Sequence, residues 1–185
     1  MSELQDLYQE IKHCEKCILC QGRTNAVPGE GPEDAEILFI GEGPGFHEDR
    51  QGRPFVGAAG QYLEELLASI GLKREQVYIC NVVKCRPPAN RDPQPEEIEA
   101  CRPYLDRQIE LVHPRMIVTL GRFSMARYFP GASITRTHGQ ARHGEAVLVG
   151  EGEVAPGPAA QVRDVVARIG QRDRGTVHRQ RVGGE

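Results

Sequence analysis

Three short apolar runs that alternate with helical patterns constrain the fold of this chain more than any other feature of its sequence. The runs occupy residues 36–41 (EILFIG), 77–83 (VYICNVV) and 115–121 (RMIVTLG), and their length and β-branched content are typical of buried strands. Apolar residues recur at helical spacing from Gly57 to Gly71 and again after Pro95. Strands that alternate with helices predict an α/β fold with a mostly parallel sheet covered on both faces.

Length and composition exclude several classes of protein. The 185 residues, 39% of them hydrophobic and 26% charged, are enough for one globular domain with its own core. No apolar run approaches the roughly 18 residues that a membrane span needs. The polar N-terminus lacks the pattern of a signal peptide, so we expect a cytoplasmic protein whose six cysteines form no disulfide framework. A net charge of −3 excludes a strongly basic nucleic-acid-binding protein but permits a local patch that holds a few phosphates.

The last part of the chain departs from this pattern. Residues 151–185 contain no Phe, Trp, Tyr, Leu or Cys, but six Gly and six Arg. Such a composition buries little apolar surface and predicts no further strand. We therefore predict a folded domain over residues 1–149 and a weakly ordered tail over residues 150–185.

Four cysteines have a spacing that suits a metal centre. An amphipathic helix predicted over residues 4–11 leads into Cys14 and Cys17, a C-x-x-C pair, whereas Cys85 and Cys101 lie far along the chain. Zinc and iron–sulfur clusters both accept four thiolates, so the number of ligands does not choose between them. One close pair and two widely separated single cysteines favour the larger [4Fe–4S] cubane over a zinc ion.

The other two cysteines have weaker patterns. Cys80 lies inside a predicted strand, which favours a small buried hydrophobic residue. Cys20 is equally compatible with a ligand and with a structural residue. Periodicity also allows Cys101 to be a core residue on the apolar face of its helix.

The first two predicted strands end at residues that suit a ligand. Ligands of open α/β sheets bind at the carboxyl ends of the strands, where this chain has GEGPG (residues 41–45) and Asn81. The glycines allow close approach of the backbone to a ligand, although a tight turn explains them equally well. A buried Asn81 must find hydrogen-bond partners, either in the protein or in a ligand. Phe55, in the loop GRPFVG, is either a loop anchor or a platform on which a ring stacks.

Taken together, these motifs resemble a known family of DNA repair enzymes. CEKC, GEGPG followed by Glu48-Asp49, GRPFVG, NVVKCRPP and the later Cys101 occur in the order and spacing of the type-4, iron–sulfur branch of the uracil-DNA glycosylase superfamily. The resemblance covers about residues 4–140. It implies a three-layer α/β/α sandwich and a structural [4Fe–4S] cluster held by four cysteines: Cys14, Cys17, Cys85 and Cys101.

The resemblance also implies roles for residues around a uracil pocket. The residues that it places along the pocket wall are Gly41, Glu42 and Gly43. Phe55 would stack on the extruded base, and Asn81 would read the O4 and N3–H edge that distinguishes uracil from cytosine. Glu42 and Glu48 are the candidate catalytic carboxylates, which orient water or stabilise the sugar cation, although a surface carboxylate is an alternative for Glu48.

One element of the family is missing from this sequence. The family has a late His-Pro motif whose histidine donates to the uracil O2, but His113-Pro114 precedes the third strand and therefore lies at the opposite end of the sheet. His138, His143 and His178 lack the motif. We hypothesise that a frameshift or a divergent end has replaced the family's C-terminal part. If so, the sheet lacks its last strand and the chain cuts slowly or not at all.

These observations predict a monofunctional enzyme that hydrolyses the N-glycosidic bond of uracil in DNA and leaves an abasic site. We expect uracil-containing DNA as its partner, no dissociable nucleotide cofactor, a monomer and association with the nucleoid. Basic residues near the cysteines are candidate phosphate contacts, with a solvated surface as the alternative: Lys84, Arg86, Arg91 and Arg102. The rival interpretations are a catalytically impaired DNA-binding [4Fe–4S] remnant and an electron-transfer protein, against which the single C-x-x-C pair argues.

Overall fold

Nine helices and strands are described in the computed structural model of the protein, which covers residues 2–137. The elements are α1 (Glu3–Lys12), β1 (Ile37–Gly41), α2 (Phe46–Gln51), α3 (Ala58–Ser69), β2 (Tyr78–Asn81), α4 (Pro95–Val112), β3 (Met116–Thr119), α5 (Arg122–Tyr128) and α6 (Ile134–Thr137). None of these helices is both long and apolar enough to cross a bilayer. The predicted tail, the C-terminal part that we hypothesise to be replaced and the three late histidines lie outside the described residues.

The described strands form a parallel sheet in the order β2-β1-β3. Leu38 pairs with Tyr78, and at the carboxyl end of the two strands Gly41 pairs with Asn81. On the other side of β1, Ile40 pairs with Thr119. The sheet therefore brings the GEGPG turn and Asn81 to the same edge, as the sequence predicts.

Alternate residues of the central strand enter two different cores. Leu38 and Ile40 belong to a core that includes residues of α1 and α4, whereas Ile37 and Phe39 pack with residues of α3. All four side chains are almost fully buried, as expected for a parallel strand that is covered on both faces. The predicted α/β fold with helices on both faces of the sheet is confirmed.

The chain uses local signals to begin its longest helix. Pro95 occupies the first turn of α4, and Gln94 and Glu97 form a reciprocal capping box. Glu97 also accepts two hydrogen bonds from the Arg91 guanidinium, at 2.9 and 2.6 Å. The short α2, in contrast, is not predicted by the sequence, because its six residues carry no periodic apolar pattern.

Candidate functional site

A cleft of about 490 Å³ opens at the carboxyl ends of β1 and β2. Its wall includes the β1–α2 turn, α2, the loop before α3 and the end of β2. The predicted site residues found on this wall are Glu42, Gly43, Glu48, Phe55 and Asn81. Gly41, the remaining one, lies directly behind the cleft between Asn81 and Phe55.

The Asn81 side chain is buried at the wall of the cleft. The residue is 2% exposed, and within residues 2–137 no hydrogen bond to its side chain is formed, although its main-chain carbonyl accepts one from Lys84. A Cβ atom on Gly41 would lie 2.4 Å from Asn81 Oδ1 and 2.6 Å from Phe55 Cζ. Only a glycine at position 41 allows the carboxamide and the aromatic ring to flank the same space. The carboxamide borders the open cleft, where a ligand can supply its hydrogen-bond partners.

Phe55 is held in a strained conformation at the cleft wall. Its φ of 50° lies in the left-handed region, which a bulky residue rarely adopts. The Arg74 guanidinium donates a hydrogen bond of 2.8 Å to the Phe55 carbonyl, and a Cβ atom on Gly60 of α3 would lie 1.9 Å from that same oxygen. The ring also packs partly against the α3 core, so the residue is an anchor of the loop as well as a wall of the cleft. Backbone strain of this kind clusters at functional sites.

Glu48 supplies a negative charge to the cleft wall. Its Oε1 accepts hydrogen bonds from the backbone N–H groups of Val56, at 2.9 Å, and Gly57, at 2.8 Å. Burial raises the pKa of Glu48, but these and other backbone hydrogen bonds outweigh the burial and hold that pKa below its ordinary value. Glu48 is therefore ionised at neutral pH and ties α2 to the Phe55 loop.

The Glu42 carboxylate is held by a hydrogen bond from the start of α5. Its Oε1 accepts a hydrogen bond of 2.8 Å from the backbone N–H of Arg122, at the start of α5. A Cβ atom on Gly121, which has a φ of 110°, would lie 2.4 Å from that oxygen. This glycine therefore provides both the left-handed turn and the room for the Glu42 carboxylate.

Five of the six cysteines surround one small cavity of about 10 Å³: Cys14, Cys17, Cys20, Cys85 and Cys101. They come from the segment after α1, the loop after β2 and the first half of α4. The sixth, Cys80, is fully buried in the core and does not line this cavity. Within residues 2–137, no group of three His, Cys, Asp or Glu side chains has an arrangement that could hold a single metal ion.

Three N–H groups point at sulfur atoms of this cavity. Arg23 donates to Cys85 Sγ at 3.1 Å, the backbone N–H of Lys84 to Cys101 Sγ at 3.4 Å and that of Lys16 to Cys14 Sγ at 3.5 Å. All six cysteines are free, and burial raises the pKa of the Cys85 thiol to about 11. A raised pKa disfavours a nucleophilic cysteine, whereas N–H donors around several sulfurs suit thiolates bound to a metal centre.

Lys84 contradicts the prediction of a phosphate contact. The side chain is 1% exposed, and its ammonium group donates to the Asn81 carbonyl at 2.7 Å and to Gln108 Oε1 at 2.5 Å. Gln108 in turn donates to the hydroxyl of Tyr78 at 2.7 Å. A lysine buried in this way braces the backbone of the cleft and does not reach DNA. Arg91 and Arg102 are engaged too, in ion pairs with Glu97 and Glu99.

His113 lies outside the cleft, in agreement with its prediction as a loop residue. It is the exposed C-cap of α4 with a φ of 53°, and it precedes β3 at the edge of the sheet opposite the cleft. Sequence reasoning missed Phe46 and His47, which also line the cleft. The available signal was their position directly after the GEGPG turn.

Comparison with known proteins agrees with this geometry. The sequence model of the uracil DNA glycosylase superfamily matches residues 28–165, about three quarters of the chain. The chain belongs to the uracil DNA glycosylase superfamily. The predicted resemblance to this superfamily and to its type-4 branch is thereby confirmed.

Several relatives in the superfamily carry the name type-4 uracil-DNA glycosylase. The relative of Sulfurisphaera tokodaii is 55% identical over 76% of this chain and 66% of its own length. The relative of Archaeoglobus fulgidus is 60% identical over 67% of this chain and 62% of its own length. That of Thermotoga maritima is 52% identical over 74% of this chain and 73% of its own length. The chain thus spans less than two thirds of the first two relatives.

Proposed function

We propose that this member of the superfamily hydrolyses the N-glycosidic bond of uracil in DNA and leaves an abasic site. The observation that carries the proposal is the buried Asn81 carboxamide, which lines the cleft and within residues 2–137 makes no side-chain hydrogen bond to the protein. The names of the relatives, type-4 uracil-DNA glycosylase, support the same substrate. The proposed partner is therefore uracil-containing DNA, and we expect a monomer that needs no dissociable nucleotide cofactor.

The cleft suits one flat pyrimidine that has left the DNA helix. An Asn side chain donates to a carbonyl through its NH₂ group and accepts from an N–H through its oxygen. Uracil presents a hydrogen-bond acceptor, O4, beside a donor, N3–H, whereas cytosine presents a donor and an acceptor at the same two positions. Asn81 would therefore read the edge of the base while the Phe55 ring contacts its face, which recovers about 1–3 kcal/mol of the lost stacking.

The two carboxylates suit a step in which positive charge develops on the sugar. Cleavage of the glycosidic bond sends its electron pair to uracil and leaves an oxocarbenium-like sugar, which water then attacks. Glu48 is held ionised by backbone N–H groups, so it acts as a fixed negative charge and not as a proton donor. We assign Glu42 and Glu48 to stabilising the cation and orienting the water.

We further propose that four cysteines hold a [4Fe–4S] cluster: Cys14, Cys17, Cys85 and Cys101. Three of the four sulfurs accept N–H hydrogen bonds, and all four border one cavity although they come from three separate segments. The cluster would supply a cross-link between these segments, and the hydrolysis itself needs no electron transfer. The segment after β2 would then be fixed at Cys85, four residues from Asn81.

Uracil release from a labelled DNA duplex tests the proposed function. The full chain should convert a U·G oligonucleotide to an abasic product that alkali cleaves, and should leave matched C·G and T·A duplexes intact. Asn81→Ala should lower the rate by about 10²–10³, as does loss of one precise polar contact in other active sites. Gln5→Ala, at an exposed amide on α1, is the matched control and should keep the full rate. Binding of DNA without release of uracil would instead support the impaired remnant.

The metal centre has a separate test. Protein purified without air should contain equal amounts of iron and acid-labile sulfide and should absorb visible light. Cys85→Ser should lose both, whereas Cys80→Ala, at a cysteine outside the cavity, should keep both. A colourless protein that binds only zinc would refute the cluster.

A further inference from the structure

Phe46 is an aromatic side chain at the rim of the cleft that the proposed chemistry does not use. It is the first residue of α2, it is 48% exposed, and it lines the cleft. Within residues 2–137 the other exposed large hydrophobic residues are Ile18 and Ile134, neither of which lines the cleft. Phe46 belongs to neither hydrophobic core, so packing within the described residues does not account for it.

Two guanidinium groups lie beside the Phe46 ring. The Cζ atom of Arg86 is 5.2 Å from the ring centroid and that of Arg50 is 5.8 Å away, which are cation–π distances. Within the described part of the chain, neither arginine forms an ion pair. Asn90 Oδ1 accepts a hydrogen bond of 2.7 Å from Arg86 Nε and thereby orients it. The three side chains, Phe46, Arg50 and Arg86, are called the rim patch below.

The acidic residues of α2 form no ion pair with the arginines of the rim patch. Glu48 accepts backbone hydrogen bonds at the start of α3 and the loop before it, as described above. Asp49 is buried, and its carboxylate accepts the N–H groups of Thr24, at 2.9 Å, and Asn25, at 3.4 Å. Both carboxylates are therefore engaged by backbone donors, while the rim patch combines an exposed ring with two cations.

We propose that the rim patch binds the DNA strand beside the extruded uracil, with Phe46 stacked on the neighbouring base and the two arginines on the flanking phosphates. Extrusion of one base exposes the face of the base next to it, and an exposed aromatic ring at the mouth of the cleft can cover that face. Guanidinium groups bind phosphates through several N–H donors. The proposal rests on the proposed function, because the cleft fixes where the strand must pass.

The absence of tryptophan from the chain provides a direct test of stacking. Phe46→Trp introduces a single tryptophan at the rim patch, whose emission can be excited apart from that of the tyrosines, and Gln5→Trp, on α1, is the matched control. The probe is a single-stranded oligonucleotide that contains no uracil and has a stable abasic-site analogue in its centre. We expect this DNA to quench the fluorescence of Phe46→Trp and to leave that of Gln5→Trp unchanged.

Affinity measurements with the same probe separate stacking from charge. Phe46→Ala should weaken binding about tenfold, and Phe46→Tyr should retain the wild-type affinity. Arg50→Gln and Arg86→Gln should each reduce the slope of log K against log salt by about 0.7, because each removes one phosphate contact on a single strand.

The outcomes distinguish this proposal from the proposed function. Quenching and tenfold weaker binding support the rim patch even if the wild type releases no uracil, in which case only the proposed function fails. An unquenched Phe46→Trp, or a Phe46→Ala variant that binds as tightly as the wild type, overturns the proposal even if uracil is released. The rim patch would then be assigned to a protein partner.

Discussion

The close approach of α3 to the strained Phe55 predicts the effect of Gly60→Ala on the free energy of unfolding. Two opposing effects decide whether this change stabilises or destabilises the protein. Gly60→Ala should stabilise the helix by about 1 kcal/mol if helix propensity alone decided the outcome. The added Cβ atom, however, would lie 1.9 Å from the Phe55 carbonyl oxygen and 2.2 Å from its carbon. Real contacts of this kind are at least about 3 Å long, so the helix and the loop must separate by roughly 1 Å.

The cost of that separation exceeds the gain. Overpacking at a tight contact costs about 1–3 kcal/mol, and weakening the charged hydrogen bond from Arg74 to the Phe55 carbonyl costs about 1.5–3 kcal/mol at most. After the gain in propensity, we expect a net loss of about 2–3 kcal/mol in the free energy of unfolding. For a chain of this length that corresponds to a fall in Tm of about 5–10 °C.

Urea unfolding and uracil release would measure the two consequences of Gly60→Ala together. Because the displaced loop carries the Phe55 ring, the rate of uracil release should also fall, by as much as about 10²-fold for a misplacement of 1 Å. Gly22→Ala is the matched control, since a Cβ atom there meets nothing within 4 Å, and its stability should stay within about 0.5 kcal/mol of the wild type. A Gly60→Ala protein as stable and as active as the wild type would refute the reasoning.

Three further predictions concern other parts of the molecule. Gln108→Leu should lower the free energy of unfolding in urea by about 2–4 kcal/mol, because the buried Lys84 ammonium loses an acceptor; an unchanged midpoint would contradict this. The Arg91 guanidinium lowers the pKa of Glu97, so the ionised carboxylate stabilises the fold above its ordinary pKa, and this contribution disappears as the pH falls through the lowered value. Arg91→Met should therefore be less stable than the wild type at pH 7, with a difference that shrinks below about pH 4 in denaturant titrations. Cys20→Ser should keep the iron content of the wild type, and loss of iron would make Cys20 a ligand.

Strongly periodic segments were predictable, and segments defined by distant contacts were not. The three apolar runs became β1, β2 and β3, because a buried parallel strand needs only a short stretch of apolar residues. The sequence did not predict α2 because this helix has only about one and a half turns. It ends at Gly52, which has a φ of 67°, and it is stabilised by hydrogen bonds of Asp49 with residues 24 and 25. No local pattern encodes those contacts.

The site shows the same division. The pairing of Gly41 with Asn81 follows from parallel strands, so the sequence alone could place both at one edge. Lys84 was misjudged as a phosphate contact because its acceptor, Gln108, lies 24 residues further along the chain. Solvent exposure of a lysine is the usual expectation, and only the fold reveals the exception.

The five residues from Asn81 to Cys85 connect the cleft to the cysteine cavity through one short segment. The Asn81 amide that would read the base lies at one end of this pentapeptide, and the Cys85 sulfur lies at the other. Between them, the Lys84 ammonium donates a hydrogen bond to the Asn81 carbonyl, and the backbone N–H of Lys84 donates one to Cys101 Sγ. If the cysteines hold the proposed cluster, its loss would therefore also displace the Asn81 carboxamide at the other end of this segment.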